Sequence, residues 1–233
     1  NGTKKGKYLA ITLSDKTGQI AAKVWDDGPA LAETIKPGVV VKVAADAREY
    51  NGRLELTVNK IRPANPDEQA LADFLPSTDG DIEMMLKMVD TAIMQITNRD
   101  LYALASSFYG LPAFKQAFSS APATRRVHHA YLGGLLEQTV EMLQLADTLL
   151  AYYPRLNPDL LRAGILLGNI GRVRTFETKF GIERSDEGEL LGSVMLTAEM
   201  VTLAIAAIPD FPADLALQVK HLIAAQNGKY EYG

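Results

Sequence analysis

The stretch YLAITLSDKTGQIAAKVWD, Tyr8 to Asp26, decides the fold of the first part of the chain. Over Tyr8–Ser14, Leu9, Ile11 and Leu13 alternate with Tyr8, Ala10 and Thr12, the period of a strand with one buried face. Asp15-Lys16-Thr17-Gly18 is a turn sequence, and alternation resumes over Gln19–Asp26, where Ile20, Ala22 and Val24 oppose Ala21, Lys23 and Trp25. Downstream, Pro29–Ile35 reads as one short helix stopped by Pro37-Gly38. Val39–Ala45 and Arg53–Ile61 read as two further strands, turned around at Asn51-Gly52, a strong hairpin signal. Two strands, a short helix and two strands fit an OB-type barrel whose first strand is missing or cut short.

The text changes between Pro63 and Pro76, where Pro63, Pro66 and Pro76 punctuate a polar stretch. Beyond it the pattern is helical. Ser77, Thr78 or Asp79 can cap a helix to about Ile96, with Ile82, Met85, Leu86, Val89 and Ile93 on one face. Further helices are expected at Arg99–Phe108, Pro112–Ser119, Val127–Tyr153, Pro158–Gly168, Glu187–Ile208 and Ala213–Ala225, with Arg172–Asp186 an irregular connection or a ribbon. Gly133-Gly134 is read as a close helix packing point, and Asp186, Glu187 and Glu189 as an acidic start to the helix after them. The expected fold class is α+β with two domains: an OB-type β-barrel over 1–65, a linker over 66–78, and an all-α helical domain over 79–233.

Composition bounds the function. The 47% hydrophobic content of 233 residues suffices for two small cores. No run of about 18 apolar residues is present, so no membrane partner is expected, and the start lacks the layout of a signal peptide. The absence of cysteine excludes disulfides and thiolate metal sites and fits a cytoplasmic location. Charge is uneven: residues 1–65 carry 11 Lys/Arg against 7 Asp/Glu, whereas 66–233 carry 13 against 21. A polyanion is thereby directed to the first domain. An OB barrel binds single strands on the outer face of its second and third strands, with stacking aromatics and a basic groove. Alternation places Tyr8, Lys23 and Trp25 on that face and Lys42 on the matching face of the next long strand, with Arg48, Tyr50 and Arg53 flanking the hairpin.

Several stretches carry a family resemblance. Tyr8–Asp26 and NKIRPA at Asn59–Ala64 resemble the OB segment of the YhaM-type 3′-5′ exoribonucleases and its exit. HHAYLGGLLEQT at His128–Thr139, AGILLGNIGR at Ala163–Arg172, DEGELLGS at Asp186–Ser193 and HLIAAQNGKYEYG at His221–Gly233 are similar to the helical domain, in the right order. The resemblance implies an HD-like helical domain and a phosphodiesterase using Mn²⁺ or another divalent ion on an adjacent His-Asp pair and several more histidines. Such ligands hold the ion, which acidifies a water and neutralises charge on the transition state. Family chains run further at both ends, so this chain is expected to be truncated relative to them.

At the matched positions the ligands differ. Gln138 stands for a histidine, Gly168-Asn169 for the His-Asp pair, Arg172 for a lysine, Ser193 for a histidine, and Gln226 and Asn227 for two histidines. Glycine offers no ligand, and Asn, Gln and Ser offer only neutral oxygens. His128, His129 and His221 remain, outside the matched ligand set; His128 and His129 are read as hydrogen-bonding among packed helices or touching a phosphate beside Arg125 and Arg126. A relocated metal site would have to combine these two histidines with Glu137, Asp186 or Glu189. The expectation is a binder of single-stranded RNA or DNA with no catalytic residues, no metal and no cofactor. The helical domain could also mediate homo-oligomer contacts. Rival readings are a metal-dependent 3′-5′ exonuclease with an atypical site, and a non-catalytic protein-interaction module.

Overall fold

The computed structural model describes residues 8–25, 31, 35–36, 38–50, 52–65, 74–178 and 181–226, without the side chain of Tyr50. The chain divides into two compact units, residues 1–76 with 179–181, and 77–178 with 182–233.

In the first unit, β1 (Leu9–Asp15), β2 (Gly18–Val24), β3 (Val41–Tyr50) and β4 (Arg53–Pro63) form one sheet in the order β1-β2-β4-β3. β1 and β2 pair antiparallel from Leu9↔Val24 to Asp15↔Gly18, so only Lys16 and Thr17 make the turn. The Asp15 carboxylate accepts hydrogen bonds from Thr17 N at 2.7 Å and Thr17 Oγ1 at 2.5 Å, which closes that turn and holds its carboxyl below the usual carboxylate range. β2 and β4 run parallel, and β4 returns antiparallel on β3. One parallel pair inside an antiparallel meander is the OB strand order counted from its second strand. The β3–β4 hairpin closes at Tyr50↔Arg53 as the Asn51-Gly52 signal requires, with Gly52 at φ 74°; Asn51 lies outside the described residues. The core comprises Ala22, Val24 and Val58 with Leu9, Ile11, Leu13, Leu31, Val43, Ala45, Leu56 and Ile61. β3 begins later and runs five residues further than Val39–Ala45, because Asp46–Tyr50 continue the ladder against β4 despite their exposure. Most of the expected Pro29–Ile35 helix lies outside the described residues; Leu31 is helical and its carbonyl accepts from Ile35 N at 2.8 Å.

The second unit contains α1 (Ile82–Met94), α2 (Arg99–Tyr109), α3 (Pro112–Ser120), α4 (Gly134–Tyr152), α5 (Pro158–Gly168), α6 (Arg172–Thr175), β5 (Phe176–Thr178), β6 (Ile182–Arg184), α7 (Asp186–Leu190), α8 (Gly192–Ala207) and α9 (Ala213–Ala225). Its core is built on Leu101, Leu104, Leu135, Leu136, Leu166, Leu167 and Ile170, all within 1% exposure. Tyr109 is packed edge-on to Phe114 and Phe118, and its hydroxyl donates to Leu166 O at 2.8 Å.

Five expectations need correction. This unit is not all-α, because β5 and β6 pair as a two-stranded ribbon, the second of the two forms considered for Arg172–Asp186. The first helix is capped by Asp81, whose carboxylate accepts from Met84 N at 3.0 Å, rather than by Ser77, Thr78 or Asp79. Residues 127–133 are a loop, held by Thr124 Oγ1 donating to His128 O and by Ala123 N donating to His129 O. Of the Gly133-Gly134 pair, Gly134 serves that loop, since a Cβ there would stand 2.2 Å from His129 O. Gly133 does allow close packing, since a Cβ there would stand 2.6 Å from Thr78 Cγ2 and 3.2 Å from Ile82 Cδ1. Finally, Glu187–Ile208 is two helices, broken where Gly192 takes φ 73°. The acidic run does occupy the first turn of α7, beside a Ser185 cap.

Candidate nucleic-acid interface and the matched helical positions

On the sheet, the buried Ala22 and Val24 alternate with the outward Lys23 and Trp25. Tyr8 precedes Leu9, the partner of Val24, and so falls opposite Trp25. The two rings meet with centroids 5.0 Å apart, yet remain 47% and 42% exposed. Lys23 Nζ lies 5.7 Å from the Tyr8 ring centroid, within cation–π range, and 2.5 Å from a Glu55 carboxylate oxygen on β4. The structure therefore brings Tyr8, Lys23 and Trp25 together. Half-exposed aromatic faces beside an ammonium suit a stacked base and its phosphate.

Lys42 is exposed on β3 opposite Arg62 of β4, and both line a cavity of about 620 Å³ together with Lys60, Asn59 and Val43. Arg48 pairs in register with Glu55, and Arg53 closes the hairpin with Tyr50. The sequence reading missed Glu55, Lys60 and Arg62. Alternation along Arg53, Glu55 and Thr57 could have assigned Glu55. Lys60 was obscured by the register shift at Ala44/Ala45, which breaks the period-two rule.

In the helical unit, Arg125, Arg126, His128 and His129 sit together on the 121–133 loop. The Arg125 guanidinium pairs with Glu183, and His129 Nε2 lies 3.0 Å from a Glu141 carboxylate oxygen. The His128 and His129 rings are nearly perpendicular, 5.8 Å apart. Nearby, burial and hydrogen bonding to Glu137 push the Tyr131 hydroxyl up to about 12.

The positions that the resemblance matches to metal ligands, with Arg172 in place of a lysine, fall into two groups. Gln138, on α4, has its Oε1 3.4 Å from Arg172 Nη1, and that guanidinium also donates to Ala123 O. Arg172 shares one cavity with Ser193. Gly168 and Asn169 end α5, and Gln226 Nε2 donates to Gly168 O at 3.1 Å. Asn227 lies outside the described residues. These donors do not fit a divalent ion: the oxygens are neutral, and a guanidinium stands among them. Among the described residues no group of three or more His, Asp or Glu is placed to share a metal, including the combinations of His128 and His129 with Glu137, Asp186 or Glu189. No described helix is long and apolar enough to cross a membrane.

Residues 2–64 match the family model described as an OB-fold nucleic acid binding domain. The 3′-5′ exoribonuclease YhaM of Geobacillus sp. is 31% identical over 97% of this chain and 69% of its own length. That of Shouchella clausii is 32% identical over 97% and 70%, and that of Bacillus velezensis 31% over 97% and 71%. No solved structure gives a significant match. With its OB-fold sheet, its mostly helical second unit and relatives of this kind along nearly its whole length, the chain belongs to the YhaM 3′-5′ exoribonuclease family.

Proposed function

We propose that this protein binds single-stranded RNA or DNA through the Tyr8–Lys23–Trp25 face without hydrolysing it. The observation that carries the reading is the Tyr8–Trp25 ring pair, half exposed on the outer OB surface with Lys23 beside it. An exposed aromatic pair loses nothing by accepting a base, whereas a packed one would have to be uncovered first. The lack of hydrolysis is argued from the donor set. The chemistry of the family needs anionic and imidazole ligands, and the matched positions supply amides, a hydroxyl, a glycine and an arginine.

Fluorescence anisotropy with a labelled single-stranded oligonucleotide tests the binding half. Native protein is expected to bind with salt-sensitive affinity and without need of Mn²⁺, and a Lys23→Ala/Trp25→Ala variant to bind much more weakly. Equal binding by the variant would overturn the assignment of the face. Absence of binding in the native protein would leave the protein-interaction reading in its place.

A further inference from the structure

We propose that the cavity between α6, α7, α8 and the 121–133 loop is a metal-independent binding site for a phosphate monoester, with Arg172 as its central cation. The cavity, about 400 Å³, is lined by Arg125, Arg172 and Arg184 with Thr124, Phe176 and Ser193. Its size is within the range of small-ligand sites.

The three arginines are unequally compensated. Arg125 pairs with Glu183, and Arg184 lies 3.5 Å from Glu189, itself a lining residue. Arg172 is the most enclosed of the three, and its recorded partners are a backbone carbonyl and the Gln138 amide oxygen, both neutral. Burial alone pulls its guanidinium below the usual range; no carboxylate acts in the other direction. A partly desolvated cation opening on a cavity is stabilised by an anion entering it. Both contacts use Nη1, so Nε and Nη2 have no protein acceptor among the described residues and can present the parallel donors that fit a phosphate.

Two further features favour phosphate over a simple carboxylate. Ser193 brings a hydroxyl donor to the same cavity, whereas the single hydroxyl hydrogen of Thr124 is held by His128 O. Ser193 also lies in the first turn of the 16-residue α8, whose N-terminus has no side-chain cap, and such an end favours an anion. Phe176 lines the same cavity and offers an aromatic side chain to a nucleoside attached to the phosphate. Glu189 opposes binding and is the reason to expect moderate affinity. All residues lining the site belong to the second unit, and the proposal does not rest on the one made for the OB face.

The test is calorimetric titration of the whole chain with AMP, inorganic phosphate and adenosine, with a chelator present so that no divalent ion bridges. AMP and phosphate are expected to bind and adenosine not to. Arg172→Gln is expected to weaken AMP binding about tenfold or more, and Arg184→Gln a few-fold. Arg184 is half exposed and is expected to fold normally when changed, so it keeps the test sound if Arg172→Gln does not fold. A single-stranded oligonucleotide with a terminal phosphate, used as competitor against Lys23→Ala/Trp25→Ala protein, tells the source: displacement of AMP assigns the site to a strand end, and failure assigns it to a free nucleotide. Equal heats for AMP and adenosine, or native-like AMP affinity in folded variants, would overturn the site.

Discussion

The rings of Tyr8 and Trp25 lie 5.0 Å apart with their planes inclined at 46°, each nearly half open to solvent. Strand register puts them side by side at one end of the β1–β2 pair. Tyr8→Ala and Trp25→Ala are each expected to weaken oligonucleotide binding by about 1–3 kcal/mol. Because the rings touch, the double variant is expected to lose less than the summed effect of the singles. A double-mutant cycle by anisotropy reads this, and strict additivity would place the rings in separate contacts with the strand.

Lys23 shares its ammonium with Glu55, 2.5 Å away. On the proposed reading that carboxylate competes with a phosphate for Lys23, so Glu55→Gln is expected to raise affinity a few-fold at low salt. Lys23→Ala is expected to lower the slope of log affinity against log salt by about 0.7. Salt titrations of the two variants check both signs. Unchanged affinity in Glu55→Gln would mean that the strand runs elsewhere on the sheet.

The Asp159 carboxylate, 8% exposed, accepts from Thr97 N at 3.1 Å, Thr97 Oγ1 at 2.7 Å and Asn98 N at 2.8 Å. Burial pushes its carboxyl up, but these hydrogen bonds outweigh it and leave it below the usual range. A depressed carboxyl contributes stability in full above its unfolded value near pH 4 and loses it as pH falls through the folded value. Asp159→Ala leaves two backbone donors unpaired and is expected to cost about 1–3 kcal/mol at neutral pH. Thermal melts from pH 7 to pH 2 are expected to show the native and variant proteins converging in the acid range.

Gly134→Ala forces a methyl group against His129 O, which a Cβ would approach to 2.2 Å. The variant is expected to lose about 1–3 kcal/mol by denaturant melts and to disturb the loop that carries Arg125 and Arg126. A variant as stable as the native protein would mean that the loop moves aside at no cost.

Much of the first unit was legible in the sequence because a two-residue period, a four-residue turn and an Asn-Gly signal all point to the same strands. The outward triad of Tyr8, Lys23 and Trp25 follows from that period alone. Lys60 escaped because a bulge shifts the period within β4. In the helical unit, Pro158–Gly168 and Ala213–Ala225 were readable to the residue, the first bounded by an Asn157 cap and Pro158. The 127–133 loop was read as helix because Val127, Ala130 and Tyr131 continue the apolar spacing of α4. His129 at φ 51° and Gly133 at φ 81° end that helix, and neither conformation is visible in hydrophobic periodicity. The cavity around Arg172 was not legible either, since it joins residues from four segments that only tertiary packing brings together.

Binding without cutting is checked by incubating a 5′-labelled single-stranded RNA with excess native protein and Mn²⁺, reading binding on a native gel and products on a denaturing gel. The strand is expected to be bound and to stay full length over hours. Metal-dependent loss of nucleotides from the 3′ end would contradict this.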